Sequence, residues 1–266
     1  MNPVIFSVCT IMIIFSLSSC YTRNEACLDT IATNYDVTAD DDCDACCIYP
    51  TLSLNVSHMA GDSVFNPQKM YTNDLGQNYQ LLDVRFYLSA FDLYQSDRGA
   101  QKTQIIASIY NSEKTVIIPD DMKICRIADN TINIGSVKTY GRMDSLVFNI
   151  GLNDKITKNE FVDLPTSHVL LNNNKLKDEN NNLAFASVRY VKFKPQKDTL
   201  NIFFRDLDVH SKIKIDSIIT TSKGDHVRYT IKTDYLKLFN NVNLDSSLAV
   251  IEKQVSRNFE RIIVVK

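Results

Sequence analysis

Past Pro50 the chain alternates apolar and polar residues with a period of two, and it does so in segment after segment. Thr51 to Ser57 (TLSLNVS), Val188 to Lys194 (VRYVKFK) and Lys212 to Ile218 (KIKIDSI) each put apolar side chains on one face and polar ones on the other. A half-buried strand of an antiparallel sheet has this pattern. Further strands are expected at Leu81 to Tyr94, Gln104 to Tyr110, Lys114 to Ile118, Ser145 to Leu152, Thr199 to Arg205 and Val227 to Lys232, between loops rich in Asn, Asp and Lys. The spacing predicts only two helices. One is a short turn over Asp234 to Phe239, and the other runs near Ser246 to Arg257, where Leu248, Ile251 and Val255 share a face. Many strands with two minor helices near the C-terminus predict an all-β fold, an antiparallel β-sandwich or a related barrel. A parallel α/β fold would need helices between strands, and the pattern has none there.

The first fifty residues are different. Residues 1 to 19 (MNPVIFSVCTIMIIFSLSS) carry no charged side chain, and their apolar core is short for a membrane span. The segment reads as an export signal. Leu17-Ser18-Ser19-Cys20 resembles the bacterial lipobox, which implies that Cys20 is lipidated and becomes the first residue of the mature chain. Acyl chains anchor firmly, at about 0.8 kcal/mol per buried methylene. The expected organisation is therefore a signal over 1–19, an acidic cysteine-rich stalk over 20–50 and a sandwich domain over 51–266. The expected location is the cell envelope, at the outer membrane, with the membrane as partner through the lipid and an envelope protein as a second partner.

Charge divides along the same boundary. Residues 20 to 50 set Arg23 against Glu25 and six aspartates, which gives −6, so the remainder carries +4 to reach the overall −2. The positive residues are dispersed, with no basic stripe bearing interleaved aromatics, and nucleic acid is not an expected partner. Catalytic signatures are missing too: no Gly-rich phosphate loop, no GxSxG and no HExxH occur. The chain does not read as an enzyme.

Export permits disulfides. With Cys9 in the signal and Cys20 acylated, Cys27, Cys43, Cys46, Cys47 and Cys125 remain, an odd number, so at least one thiol is left over. The segment "CLDTIATNYDVTADDDCDACCIYP", residues 27–50, is similar to a short repeat found at the start of exported Bacteroidota proteins. That likeness implies a Cys27–Cys43 bridge, after which Cys46 or Cys47 could reach Cys125. The aspartate-rich tail is similar to thrombospondin type 3 calcium loops, and Asp36, Asp40, Asp42 and Asp44 supply the hard oxygen donors calcium requires. A solvated acidic linker and a soft metal on Cys43-x-x-Cys46-Cys47 are the competing readings.

The run from Leu52 to Tyr94 carries His58, Gly61, Tyr71, Asn73, Gly76, Leu82, Tyr87, Leu88 and Ser89 in order. It resembles the opening of the MbnP-like domain, a family of exported copper-binding proteins and their lipoprotein relatives. Ser145 to Asp154 and Tyr229 to Asp245 resemble later pieces of the same domain. The resemblance implies a β-sandwich and copper as cofactor, with His58 and His168 as ligands; imidazole and the thioether of Met59 both suit the soft monovalent ion. Neighbours on a strand face opposite ways, which favours His58 over Met59. The chain departs from the copper-binding branch where Asn182 to Tyr190 (NLAFASVRY) replaces a tryptophan-rich segment. No tryptophan occurs anywhere, so a tryptophan-derived ligand is impossible. The alternative expectation is an envelope module that keeps the fold and binds no metal.

Overall fold

The computed structural model describes residues 21–104, 106–110, 114–152, 160–162, 164–171, 176–177, 180, 182–194, 196–205 and 212–264. The expected signal over 1–19, Cys20, His210 and most of the polar tract 172–182 lie outside the described residues.

Two sheets face each other across one apolar core. The main strands are β1 (Thr51–Ala60), β2 (Asn78–Gln95), β3 (Lys123–Arg126), β4 (Thr131–Ser136), β5 (Ser145–Ile150), β6 (Ala186–Lys192), β7 (Asp198–Phe204), β8 (Lys212–Ile215), β9 (Val227–Asp234) and β10 (Ile263–Val264). The larger sheet is built on β2, which pairs antiparallel with β6 along its first half and with β5 along its second. Strand β7 flanks β6, β8 flanks β5, and β3 also pairs with β2. The second sheet runs β4, β1, β9, β10. Here the antiparallel expectation needs one correction. Strands β1 and β9 are parallel, with Val227 beside Leu52 and Asp234 beside Met59. Alternation along a strand reports which face is buried; it says nothing of a neighbour's direction, so this pair was invisible to period-two reasoning.

The inward residues of both sheets make the core: Leu52, Leu54 and Val56 of β1, Val84, Phe86 and Leu88 of β2, Leu146, Phe148 and Ile150 of β5, Tyr229 and Ile231 of β9. The helix α1 (Leu248–Ile262) adds Ile251, Val255, Phe259 and Ile262 to the same cluster. Phe259 places its ring 5.0 Å from Phe204 and 6.0 Å from Phe86, so the helix plugs the sandwich with an aromatic wedge.

The outer face of β2 is also covered. Tyr87 alternates with Phe86 and so points the other way, into a smaller cluster with Met122, Ile124, Leu152, Leu170 and Leu176. Midway along β2 a bulge interrupts pairing with β5, and Ala90 sits there at φ 56°. The buried Asp121 carboxylate accepts the N–H of Phe91 at 2.8 Å beside this kink.

Candidate functional site

His58 sits on the inward side of β1, near its end. The parallel register that sets Thr233 beside His58 brings the short 3-10 turn Tyr235–Phe239 directly over the imidazole. The Tyr235 ring stacks on it at 5.7 Å with only 5° between planes. His58 Nε2 lies 2.8 Å from the Asp129 carbonyl oxygen, and Nδ1 lies 2.7 Å from the Tyr235 hydroxyl. A carbonyl oxygen only accepts, which places the ring proton on Nε2. The remaining lone pair, on Nδ1, receives the Tyr235 O–H. Burial pushes the Tyr235 hydroxyl well above its ordinary pKa, so it stays a donor. Both nitrogens of His58 are thus engaged within the protein. A metal on Nδ1 would displace a buried hydroxyl from its acceptor.

His168 is set the same way in a different place. Its Nε2–H donates to Asp120 Oδ1 at 3.0 Å, and Nδ1 accepts the Leu170 N–H at 3.3 Å. This histidine lies on the loop that covers the outer cluster of β2, where Tyr87 donates its hydroxyl to the Val169 carbonyl at 3.0 Å. His58 belongs to the opposite sheet, on the core side. The large sheet separates the two residues that the family resemblance pairs as copper ligands. Among the described residues no group of three or more His, Cys, Asp or Glu side chains could hold a metal ion. His226 is engaged as well, accepting the Thr51 N–H at 3.0 Å.

The motif that suggested the family has structural work throughout. Asn73 Oδ1 accepts the Leu75 and Gln77 N–H groups while its amide reaches the Val242 carbonyl at 2.8 Å. Gly76, at φ 75°, completes that turn. Ser89 donates to the Gly151 carbonyl at 2.7 Å. Tyr87 ties down the loop bearing His168. His58, Tyr87 and Ser89 each fasten β1 or β2 to a distant segment.

The cysteine-rich unit is stapled otherwise than the repeat resemblance implied. Cys27 is joined to Cys47, twenty residues on, while Cys43, Cys46 and Cys125 are free. Strand pairing explains the change. Glu25–Ala26 runs parallel to Asp41–Asp42, and Cys43 N–H bonds the Ala26 carbonyl at 3.0 Å. A 3-10 turn over Asp44–Cys46 then swings Cys47 round to Cys27. Cys125 is the Cα partner of Phe86 and is fully buried in the main core, so no cysteine of the unit reaches it. The bridge removes roughly 3 kcal/mol of chain entropy from the unfolded state in the entropic account.

Its aspartates organise backbone. Asp36 accepts the Thr38 N–H at 2.8 Å and the Thr38 hydroxyl at 2.7 Å; Asp42 accepts the Leu28 N–H at 3.0 Å. Asp40 accepts the Asn24 N–H at 2.9 Å and the Tyr21 hydroxyl. Asp36 and Asp40 both accept from Asn24, through its amide and its backbone N–H, while Asp44 stands in the first turn of the 3-10 segment. Among the described residues no three of these carboxylates come together as a metal-holding group.

Nor does the unit hang free as a spacer. Asp29 meets Lys138 at 2.6 Å and accepts the Tyr49 hydroxyl at 3.0 Å, and Lys223 Nζ donates to the Thr30 hydroxyl at 2.8 Å. Lys138 holds the Asp29 carboxyl below its ordinary pKa. At Gly224, where φ is 81°, a Cβ would sit 3.4 Å from the Ala32 carbonyl oxygen, so the two backbones meet closely. Tyr235, Asp129, Asp120 and Lys138 were not anticipated from sequence. Each becomes meaningful only through a partner far along the chain.

No protein-family model matches this chain, and no curated protein is significantly similar to it. Among solved structures, MbnP from Methylosinus trichosporium is similar, with a TM-score of 0.49 and 13% identity over 75% of this chain and 81% of that one.

Proposed function

We propose that this chain is an exported, lipid-anchored β-sandwich of the MbnP-like type that serves the cell envelope as a non-catalytic module and holds no copper at His58. The observation that carries the reading is the engagement of both His58 nitrogens, by a backbone carbonyl and by the buried Tyr235 hydroxyl. Copper bound at His58 would leave that hydroxyl unsatisfied, at about 1–3 kcal/mol. The ordered run His58, Gly61, Tyr71, Asn73, Gly76, Tyr87 and Ser89 supports the family reading. The tetrapeptide ending at Cys20 supports the anchor and an outer-membrane location, with an envelope protein as partner. The docked acidic unit would then sit between lipid and sandwich.

A titration of the purified chain with Cu(I) against a chromophoric chelator tests the metal part. The expected result is no uptake that depends on His58. Tight one-to-one uptake, abolished by His58→Ala in a variant that keeps its far-ultraviolet circular dichroism, would overturn it. Metabolic labelling with an alkyne fatty acid tests the anchor: label is expected on the chain and lost in Cys20→Ser. An unlabelled native chain would refute lipidation and leave the metal result standing.

A further inference from the structure

We propose that Cys43 and Cys46 form a thiol–disulfide exchange site, a dithiol that takes oxidising equivalents from a low-molecular-weight disulfide and closes into a second bridge beside Cys27–Cys47. The two residues bound one tight turn. Cys46 N–H returns to the Cys43 carbonyl at 3.0 Å, and the Cys46 thiol donates to the same oxygen at 2.9 Å. A turn closed three residues back holds its end Cα atoms within about 7 Å. Disulfides span roughly 4.4–6.8 Å, so the backbone need hardly move. Both thiols are half-buried, open enough for a small reagent. The neighbouring bridge shares the turn, since Cys47 Sγ lies 3.6 Å from that same Cys43 carbonyl.

Chemistry orders the steps. The Cys46 S–H is held on the Cys43 carbonyl oxygen, and the adjacent Cys43 side chain raises the Cys46 pKa to about 11. Cys46 therefore keeps its proton, and Cys43 attacks first. The Cys43 thiolate displaces one half of the reagent disulfide as a thiolate and is left in a mixed disulfide with the other half. Cys46, losing its proton to solvent, then attacks the Cys43 sulfur and expels the second half. The reagent gains two electrons and, from solvent, two protons, becoming two thiols; the protein dithiol becomes a disulfide.

This accounts for the odd cysteine number. Four of the five cysteines beyond Cys20 are paired in the oxidised form, and the remaining one is Cys125, at 0% exposure where no reagent reaches it. Leaving Cys43 and Cys46 reduced would expose two thiols in a compartment that consumes them.

The test is to incubate the full chain with oxidised glutathione, alkylate it unfolded with N-ethylmaleimide, and map the fragments of a protease that cuts before aspartate. That protease separates Cys43 from Cys46 at Asp44. The expected result is near-complete loss of alkylation at Cys43 and Cys46, with their fragments covalently joined, and full alkylation of Cys125. In Cys46→Ser, Cys43 is expected to halt as the mixed disulfide and carry one glutathione. Persistent alkylation of both residues, transfer of Cys27 onto Cys43, or a Cys46→Ser chain whose Cys43 takes up no glutathione would overturn the proposal.

Discussion

Tyr235 gives its buried hydroxyl proton to Nδ1 of His58, 2.7 Å away and 177 residues earlier in the chain. The bond exists because β9 lies parallel to β1, so the turn leaving β9 arrives over the end of β1. It welds the two central strands of the smaller sheet where they emerge.

His58→Ala is therefore expected to cost about 2–3 kcal/mol of stability, through the orphaned hydroxyl and the lost stacking. Tyr235→Phe should cost about 1–2 kcal/mol. Urea unfolding of both single variants and the double variant gives their coupling, expected near 1 kcal/mol. Strictly additive losses would show that the two side chains act independently.

Docking of the cysteine-rich unit should depend on pH. Lys138 depresses the folded-state pKa of Asp29 below the unfolded value of 3.8. A depressed carboxylate contributes stability that is present above its unfolded pKa and lost as pH falls through the folded value. Protection factors over residues 27–50, that is exchange corrected for its intrinsic pH dependence, are accordingly expected to fall below about pH 4 and to be constant between about 5 and 7. Lys138→Ala should lower protection at neutral pH and shrink the acid step, leaving the part due to the Ile31 N–H and the Tyr49 hydroxyl.

Ala90 is held at φ 56°, where a Cβ crowds the following carbonyl. Replacing it with glycine should raise stability by about 0.5–1 kcal/mol, relief of strain exceeding the entropic cost of glycine. Asp121→Ala should do the reverse, at about 2 kcal/mol, because the Phe91 N–H at the kink loses its buried acceptor. Thermal unfolding of the two variants would show opposite shifts in Tm.

Phe259 contacts the rings of Phe86, Phe185 and Phe204 at 6.0, 6.3 and 5.0 Å. Its truncation to alanine should cost about 3–5 kcal/mol. Loss below 1 kcal/mol, measured by denaturant titration, would mean that the helix is a removable lid.

Much of this architecture was legible because alternation is local. Strands β1 and β9 repeat apolar residues every second position over most of their length, and the sequence located both, as it did most of β6, the Tyr235–Phe239 turn and the last helix. Strand β3, only four residues long, offers too short a pattern. Strand β4 has its alternation broken where register shifts between Asn133 and Gly135. The candidate site was less legible because its content is relational. Nothing in His58 itself tells that Asp129 and Tyr235 will take up its two nitrogens. Four cysteines within about twenty residues admit several pairings, and it is the parallel Glu25–Ala26 ladder that selects Cys47 over Cys43 for Cys27.

The parallel contact of β1 with β9 has a bearing on how the chain comes to exist. Leu52 finds its neighbour Val227 only after 175 residues have passed. Until β9 is available, β1 has only β4 and the short Ser63–Val64 strand beside it, and Leu52, Leu54 and Val56 face an unfinished core. Such remote closure is slow, because the loop entropy falls due before the contacts that offset it form. The open flank of β1 is therefore the surface that stays unpaired longest while the chain folds.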